Sequence, residues 1–461
     1  MARSSPRISP VLAAGGLLFG LCVCAPAVRA DVAAAFADKV TVDTGFVTGA
    51  STVTDIAFHV DGRAVVTRKT GQVHVRRPDG NVTVLAYPFP GTLDTESEKG
   101  LLGVVADPDV ATNHRFYFYV SNGTTDTDKH RVYRATLTAA DTLTVDPDPI
   151  VGASRGVGPG LEGPANHDGG GMVIHAGQLY LGVGDTGANA SPPVNKFGSC
   201  LNRGNGKILR VNLDGSVPAD NPLVGLATVS GCATPTGPWV DDATPDPRIY
   251  SWGFRNPWRL WVDPQSGRLW VGDVGETSEE EISIGSGNQH YGYPFVEGNR
   301  NWGNVDGRHC NLASPPGALV PTRACTPPAF TYPRTEGRAV TGGLILDGPA
   351  WEAVFGSPHY VFGDSSTHWV RVLPVNTART GFAAAQMIDF ATYASARPVS
   401  FRTGPDGALY VVYLGLGAVY RFAPSVPPCT DCAVQVPLFP WPFVLAGAGL
   451  LAVIGVRHRG T

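Results

Sequence analysis

Short runs of alternating apolar and polar residues, each broken by an Asp-Gly turn or its equivalent, recur along most of this chain. One run near the start is Asp55–Val75, with its turn at Asp61-Gly62. A similar run near the other end is Val399–Phe422, with its turn at Asp406-Gly407. Alternation with a period of two, bounded by turns that contain glycine, predicts pairs of β-strands rather than helices.

Four further stretches between these two have the same strand-turn-strand pattern: Leu101–Val120, Gly171–Asp214, Pro257–Ile284 and Val340–Val372. Six units of about 45 to 60 residues are typical of a propeller, in which each four-stranded blade buries its faces only by stacking on its neighbours. No segment of the body has a long helical period, which disfavours an α/β fold. The sequence therefore predicts an all-β fold, a six-bladed β-propeller.

The composition agrees with such a fold and excludes one class of partner. The chain has 461 residues with 57 Gly and 39 Pro, and all-β domains rich in these residues often run long as one unit. Only 16% of the residues are charged, and the net charge is −4. A nucleic-acid-binding surface would need clustered Lys and Arg, so we expect no nucleic-acid partner.

The first 30 residues have the order of a secretory signal peptide. Arg3 and Arg7 precede an apolar core, Val11–Val23, and small residues stand around Arg29 just before Asp31. We therefore expect an exported protein whose propeller, residues 31–423, follows the signal peptide.

The last residues differ from the body. A Pro- and Cys-containing linker, residues 424–435, leads to the apolar stretch Val436–Val456, which has 21 residues and is followed by Arg457 and Arg459. That length is just enough to span a bilayer, and the arginines should stay on the cytoplasmic side. We expect residues 436–461 to be a transmembrane or sorting segment that anchors the exported body to the membrane. A buried core helix is the alternative.

Three insertions rich in Gly, Pro and Asn should be loops on one face of the propeller: Pro192–Cys200, Leu226–Pro245 and Arg300–Pro328. Six of the eight cysteines follow the signal peptide, and an even number in an exported chain suggests disulfides. By proximity we expect the pairs Cys200–Cys232 and Cys310–Cys325, which would pin these loops. A metal site is not favoured, because no second CxxC motif accompanies Cys429 and Cys432.

A histidine set among glycines marks the first candidate site. The segment Pro164–Gly171 contains His167 and three consecutive glycines, which disfavour a helix and let the backbone approach a ligand closely. The next stretch, Met172–Gly184, predicts two strands that end at Asp185. A histidine before one strand and a carboxylate after the next can face the same end of a sheet. The alternative is that His167 bonds only to backbone and Asp185 caps a turn.

Other segments between predicted strands concentrate charge in a chain that is poor in charge. Because Pro257 forces Asn256 into an extended conformation, we expect Arg255 and Asn256 to project from the edge of a blade. The following unit carries the acidic run Glu279–Glu281, for which a solvated turn is the alternative.

Seven segments resemble, in order and spacing, the soluble quinoprotein glucose/sorbosone dehydrogenases, also called PQQ-dependent aldose sugar dehydrogenases. The segments are Glu98–Gly103, Asn166–Gly171, Gly182–Gly187, Gly206–Pro222, Gly253–Pro257, Gly272–Ile282 and Tyr291–Pro294. One such motif alone would be weak, whereas seven in order are specific. The resemblance covers most of the body and implies a six-bladed propeller, in agreement with the six repeat units.

The resemblance implies that the protein oxidises the anomeric hydroxyl of an aldose sugar. Pyrroloquinoline quinone (PQQ) would accept the hydride, with Ca²⁺ beside it, and an external acceptor would take the electrons. The family's general base falls on His167 and its carboxylate partner on Asp185. Arg255 matches the arginine that stabilises negative charge on the quinone, and Asn256 matches a cofactor contact.

The resemblance also implies further cofactor ligands. Glu98 stands where the glucose-oxidising members have a glutamine, and Arg338 stands where they have a lysine, in a motif that ends at Thr341. Two late arginines of those members bind cofactor carboxylates. They have no clear counterpart in the segment Gly363–Arg371, where only Arg371 is near.

Two pairs of residues match the family's calcium ligands. Gly275 and Glu276 fall where carbonyl oxygens bind the cofactor-linked ion, and calcium accepts carbonyls as well as carboxylates. Glu281 and Tyr291 fall on a structural ion in the propeller pore.

Two other functions are compatible with the sequence. One is a non-catalytic surface propeller that acts as a binding or adhesion module, and the other is a hydrolytic or lactonase-like calcium propeller. Convergence of His167, Asp185 and Arg255 on one pocket would favour the dehydrogenase.

Overall fold

The computed structural model describes residues 31–164, 166–187, 194–301, 325–393 and 396–425, and antiparallel β-strands dominate these ranges. Their α-helices are short: Val110–Asn113 and Pro349–Phe355. Three 3₁₀ helices are equally short: Asp126–Asp128, Ala153–Arg155 and Phe197–Ser199. The all-β prediction is confirmed. None of the helices described in these ranges has the length and apolar character needed to cross a membrane.

Six antiparallel sheets follow one another along the described chain, and each overlaps one of the six repeat units. Sheet 1 consists of Val53–Phe58, Ala64–Arg68, Val73–Arg76 and Val82–Leu85. Sheet 2 consists of Leu101–Ala106, Arg115–Ser121, His130–Leu137 and Leu143–Val145. Sheet 3 consists of Met172–His175, Gln178–Val183, Lys207–Asn212 and Ile249–Trp252.

The remaining three sheets have the same plan, and the last two recruit the beginning of the described chain. Sheet 4 consists of Pro257–Val262, Leu269–Asp273, Glu279–Gly285 and Phe330–Pro333. Sheet 5 consists of Val340–Leu346, His359–Asp364, Trp369–Pro374, Ile388–Thr392 and Asp31–Val32. Sheet 6 consists of Pro398–Thr403, Leu409–Tyr413, Ala418–Pro424 and Val40–Val47.

The strand that opens each of sheets 1 to 6, here called its first strand, contacts the first strand of the next sheet. The first strand of sheet 6 in turn contacts that of sheet 1. In sheet 5 the first strand, Val340–Leu346, is buried at every position, whereas the outer strand Val82–Leu85 of sheet 1 alternates between exposed and half-buried residues. The first strands therefore lie inside and the last strands outside.

The apolar core is divided among the interfaces between neighbouring sheets. Leu181 and Leu209 of sheet 3 pack with Tyr117 of sheet 2, for example, in a cluster that belongs to those two sheets. Comparable clusters fill the other five interfaces, including the one between sheets 6 and 1, where Val412 packs with Ile56. Each sheet thus depends on both neighbours for its burial, as expected of stacked blades.

The Asp-Gly turns have the predicted backbone. Gly62 and Gly407 adopt φ values of +87° and +72°, a region that favours glycine. In both turns the aspartate side chain accepts an amide hydrogen bond from the residue two positions later, Arg63 and Ala408 respectively.

One predicted loop is wrong. The insertion Leu226–Pro245 contains a two-stranded ribbon, Val229–Cys232 paired with Trp239–Ala243. A second, shorter ribbon joins Val296–Glu297 to Arg300–Asn301. The Gly- and Pro-rich composition of this segment is typical of loops. Its backbone N–H and C=O groups nevertheless find hydrogen-bond partners by pairing across a hairpin.

Several predictions fall outside the described residues. They concern the signal peptide, most of the linker, the C-terminal segment 436–461 and the cysteines Cys310, Cys429 and Cys432. The pair Cys310–Cys325 therefore stays a prediction. The pair Cys200–Cys232 is confirmed, with its Cα atoms 5.7 Å apart.

Candidate active site

His167 and Asp185 form a buried hydrogen-bonded pair at one end of sheet 3. Met172 pairs with Leu181 in antiparallel register, so the start of the first strand lies beside the end of the second. His167 precedes that start and Asp185 follows that end. His167 Nδ1 lies 2.6 Å from Asp185 Oδ1, and the two residues are 8% and 0% exposed. The imidazole thus bonds to a carboxylate and not only to backbone.

The glycines around His167 allow this close packing. His167 itself has a φ of +61°, which is uncommon for a residue with a side chain. A Cβ atom on Gly184 would lie 1.9 Å from the carbonyl oxygen of His167, and one on Gly170 would lie 2.6 Å from the Leu102 side chain. Side chains at these positions would displace the histidine from its partner.

Asp185 is held as a carboxylate by its surroundings. Its Oδ1 also accepts the Gly187 amide at 3.0 Å, and its Oδ2 accepts Asn195 Nδ2 at 2.7 Å. Burial raises its pKa, but attraction to His167 and Arg255 and the hydrogen bonds from His167 and Gly187 outweigh that effect. The pKa of Asp185 is therefore lower than usual.

Arg255 and Asn256 lie beside this pair, in the connection that leads to sheet 4. The Asp185 amide donates to the Arg255 carbonyl at 2.8 Å. Asp273, at the end of the second strand of sheet 4, accepts the amides of Arg255 at 3.0 Å and Asn256 at 2.7 Å. Burial, opposed by these two amides, raises the pKa of Asp273 to about 7.

The Arg255 guanidinium is fixed and charged. Its Nε donates to Glu276 Oε2 at 2.5 Å, and its Nη1 donates to the Val274 carbonyl at 3.1 Å. Burial lowers its pKa, but attraction to Asp185, Tyr293 and Glu276 prevails, so the pKa is raised above the usual arginine value.

Glu98 connects the pair to a cavity. Its Oε2 accepts the His167 amide at 3.0 Å and lies 3.5 Å from Asn256 Nδ2. The buried Oδ1 of Asn256 has no hydrogen-bond partner among the described residues. Glu98 also borders a cavity of about 360 Å³ whose other polar lining residues come from sheets 5 and 6 and their connections: Thr341, Ser365, Ser366 and Arg397.

The other predicted cofactor ligands are placed unequally. Thr341 borders the cavity, with its hydroxyl donating to the Pro398 carbonyl at 2.7 Å. Arg338 is exposed, and its Nε donates to the Arg334 carbonyl at 3.4 Å; its neighbour Ala339, rather than Arg338 itself, borders the cavity.

The late arginine at the cavity is Arg397, which the sequence analysis missed. Arg371 does not border the cavity, because it pairs with Asp389 at 2.7 Å and Glu336 at 3.1 Å. Arg397 borders the cavity, and no ion pair or hydrogen bond engages its side chain within the described part of the chain. Its position before Pro398, at the start of a repeat unit as Arg255 and Asn256 precede Pro257, could have indicated it.

The predicted calcium ligands Gly275 and Glu276 lie in the turn after the second strand of sheet 4. The Gly275 carbonyl accepts Arg334 Nη1 at 2.9 Å, and the Glu276 carboxylate accepts Arg255. The turn is held by Glu297, also missed from the sequence, whose buried carboxylate accepts three consecutive amides, those of residues 276–278, at 2.6, 2.8 and 3.0 Å.

Glu281 and Tyr291 are not joined by any described contact. Glu281 lies opposite Asp273 across the strand pair, and burial, reinforced by repulsion from Asp273, raises its pKa well above the usual value. The Tyr291 ring stacks on Phe254, and its hydroxyl donates to Gln289 at 2.9 Å. Across the described ranges, His, Cys, Asp and Glu side chains form no group of three or more suited to a metal ion.

A second layer behind Asp185 also escaped the sequence analysis. Lys207 is fully buried, and its Nζ donates to the carbonyls of Phe197 at 2.6 Å, Gly198 at 2.9 Å and Asn205 at 2.7 Å. Burial lowers its pKa well below the usual lysine value. Together with the Cys200–Cys232 disulfide, these bonds fix the segment that carries Asn195, a direct partner of Asp185.

The sheet order and the His167–Asp185–Arg255 cluster define an all-β protein of the β-propeller type with an enzyme-like polar site. Residues 51–420 match the family model Glucose / Sorbosone dehydrogenase. The chain belongs to that family, and this membership supports an oxidoreductase function.

Individual relatives agree with the family. The chain is 26% identical over 335 residues to aldose sugar dehydrogenase YliI of Escherichia coli (strain K12), covering 71% of this chain and 78% of that protein. It is 28% identical over 255 residues to quinoprotein glucose dehydrogenase B of Acinetobacter calcoaceticus, covering 50% and 47%. The PQQ-bound aldose sugar dehydrogenase of Streptomyces coelicolor shares the fold, with a TM-score of 0.60 and 19% identity over 84% of this chain and 98% of that chain.

Replacing Asp185 with Asn should weaken the pH dependence of the free energy of unfolding on the acid side. A carboxylate with a lowered folded pKa stabilises the fold above its unfolded pKa of about 3.9, and this contribution is lost as the pH falls through the folded pKa. In urea titrations, D185N should be less stable than the wild type above about pH 5 and should approach it towards about pH 2. The exposed control D389N should change little. If the free energy of unfolding of D185N falls with pH as steeply as that of the wild type, the charge assigned to Asp185 is contradicted.

Proposed function

We propose that this protein oxidises the anomeric hydroxyl of an aldose sugar with PQQ as hydride acceptor and Ca²⁺ beside it. Sheets 1 to 6 would be the six blades of its propeller. The observation that carries the proposal is the 2.6 Å contact between His167 Nδ1 and Asp185 Oδ1, next to a cavity that Glu98 borders. The family supports the redox class, and the relatives' names support the quinone cofactor and the sugar.

The groups around the cavity suit an anionic, planar cofactor. PQQ carries three carboxylates, and Arg397 is a cation that borders the cavity and makes no ion pair or side-chain hydrogen bond to another described residue. Trp258 borders the cavity and supplies an aromatic surface for a planar ring. Its ring N–H donates to the Val399 carbonyl at 3.0 Å, which fixes the orientation of the ring. These residues would hold the cofactor, whose chemistry when bound is to accept a hydride.

His167 is the proposed general base. Donation of its Nδ1–H to Asp185 fixes the tautomer and leaves Nε2 as the proton acceptor. The buried carboxylate then stabilises the imidazolium that forms when His167 takes the hydroxyl proton of the sugar. The Glu98 carboxylate holds the His167 backbone, so the base is fixed at both its main chain and its ring.

Arg255 is the proposed electrostatic stabiliser. Its guanidinium is buried, charged and held by Glu276 and the Val274 carbonyl, so little reorganisation is needed when negative charge develops nearby. Removing water from the site strengthens this interaction because the local dielectric is low.

Calcium would bind at the backbone carbonyl oxygens of Gly275 and Glu276. Calcium takes about six to eight oxygen ligands, so most of them would have to come from the bound ligand or from water. The Gly275 carbonyl accepts Arg334 Nη1 at 2.9 Å, so the ion would compete with Arg334 for that oxygen.

We also propose that the protein is exported and held at the membrane by residues 436–461, as the terminal sequence patterns suggest. Deleting Val436–Thr461 should release a folded protein from the membrane fraction into the exported soluble fraction. Fractionation followed by N-terminal sequencing, which should begin near Asp31, checks both ends. Retention of the truncated protein in the membrane fraction would show that the anchor lies elsewhere.

His167→Ala should abolish sugar-dependent dye reduction by protein reconstituted with PQQ and calcium. Loss of a general base costs on the order of 10²–10⁴ in rate. His175→Ala is the matched control and should leave the rate unchanged. His175 is the last residue of the strand Met172–His175, so it lies at the end of that strand away from His167. Unchanged turnover in H167A, with a circular dichroism spectrum like that of the wild type, would remove His167 from the mechanism.

Arg397→Ala should weaken PQQ binding about 10- to 100-fold, since a hydrogen bond to a charged group contributes about 1.5–3 kcal/mol. Equilibrium dialysis in the presence of calcium measures the dissociation constant without relying on turnover. Arg371→Ala is the control variant, because Arg371 also lies late in the chain but pairs with Glu336 and Asp389. This variant should bind PQQ like the wild type. Equal losses in both variants would mean that Arg397 makes no specific contact.

A further inference from the structure

The middle parts of the first strands carry buried charges that the proposed reaction does not use. Asp55 of sheet 1 forms a two-point ion pair with Arg402 of sheet 6, at 2.7 Å from Nη2 to Oδ2 and 3.1 Å from Nε to Oδ1. The same carboxylate accepts Ser400 Oγ at 2.6 Å and the amides of Ile56 at 2.9 Å and Val104 at 3.1 Å. Both Asp55 oxygens are therefore fully engaged, and the pair with Arg402 is neutral.

Arg259 of sheet 4 is a buried cation to which no carboxylate of the described residues is bonded. It is 4% exposed, and it donates to the carbonyls of Trp258 at 3.0 Å, Thr54 at 2.8 Å and Leu102 at 3.0 Å. Its buried Nε–H has no hydrogen-bond partner in the part of the chain that the structure describes. Burial lowers its pKa to about 10, against the attraction of Asp55. Because Asp55 is already paired with Arg402, no carboxylate of the described residues neutralises the charge of Arg259. An unpaired buried charge is costly.

A cavity of about 210 Å³ lies against both arginines, between sheets 4, 5 and 6. Its lining includes Arg259, Trp261, Leu344, Phe401, Arg402 and Thr403. These residues occupy later positions of their strands, whereas Trp258, Thr341 and Val399, from earlier positions of the same strands, border the candidate active-site cavity. The two cavities therefore lie towards opposite ends of these first strands.

We propose that this second cavity, the Arg259 cavity, binds one small monovalent anion, a halide or a short carboxylate. The anion would accept the unused Nε–H of Arg259 and neutralise the single excess positive charge that Arg259 and Arg402 leave against Asp55. The apolar side chains of Trp261, Leu344 and Phe401 disfavour a strongly hydrated divalent anion. The site is separate from His167 and does not depend on the proposed redox function.

Chloride should stabilise the wild-type protein more than a bulky anion does. The midpoint of thermal unfolding, Tm, is measured by calorimetry in sodium chloride, sodium acetate and sodium gluconate at equal ionic strength. Gluconate is a hydrated polyhydroxy anion that is excluded from the protein surface, so without a binding site it should stabilise the fold at least as well as chloride does. A higher Tm in chloride than in gluconate therefore requires a site that binds chloride. We expect a rise on the order of 3 °C near a hundred-fold excess over the dissociation constant.

The acetate arm distinguishes the two sources of the anion: a larger rise in acetate than in chloride identifies a short carboxylate, and the reverse identifies a halide. Equal Tm values in all three salts would overturn the proposal. In crystals soaked in sodium bromide, an anomalous peak beside Arg259 Nε supports the site; where the salt series identifies a halide, a cavity without that peak overturns the proposal.

A substitution that spares both arginines tests the location. Thr403 is exposed and borders the cavity, so Thr403→Glu would bring a carboxylate to the arginines. T403E should have a higher Tm than the wild type in gluconate and should lose the chloride-dependent rise. Thr392→Glu, at an exposed threonine on the fourth strand of sheet 5, is the matched control and should keep the rise. A chloride-dependent rise in T403E equal to that of the wild type would overturn the placement.

Discussion

The candidate active site depends on buried carboxylates that stand at the ends of second strands: Asp185, Asp273 and Asp364 in sheets 3, 4 and 5. A buried carboxylate is costly unless hydrogen-bonded, so each holds the segment that precedes a first strand. Asp185 bonds the ring of His167, Asp273 bonds the amides of Arg255 and Asn256, and Asp364 bonds the amide of Ala339 at 2.9 Å. Antiparallel pairing repeats this arrangement because it puts the end of one strand beside the start of its neighbour.

Much of the fold and part of the site follow from local sequence patterns. Strand alternation and Asp-Gly turns act over a few residues, and each predicted repeat unit overlaps one sheet. The contact between His167 and Asp185 was predictable because both flank one hairpin, whose register follows from its turn. The rigid Pro257 likewise indicated where Arg255 would stand. The Cys200–Cys232 disulfide followed from cysteine number and proximity alone.

What escaped prediction depends on contacts between distant parts of the chain. Val40–Val47 joins sheet 6 by pairing with Ala418–Pro424, and the sequence of Val40–Val47 does not indicate which strand it pairs with. Arg371 and Arg397 are both arginines late in the chain, but Arg371 is held by ion pairs with Glu336 and Asp389, whereas Arg397 makes no ion pair with the described residues. Lys207 begins a strand that also contains Arg210, and its three carbonyl partners come together only once the strands and the preceding connection are packed.

The central claim is that the cavity beside His167 holds a quinone to which an aldose gives a hydride. Its most direct test is an anaerobic single-turnover measurement, in which calcium-loaded protein saturated with PQQ is mixed with excess glucose or another aldose and the quinone absorbance is followed. The account predicts that one PQQ per chain is reduced with at least one aldose. Failure to bind PQQ at millimolar calcium, or bound PQQ whose spectrum no aldose changes, would contradict the account and favour a propeller that only binds.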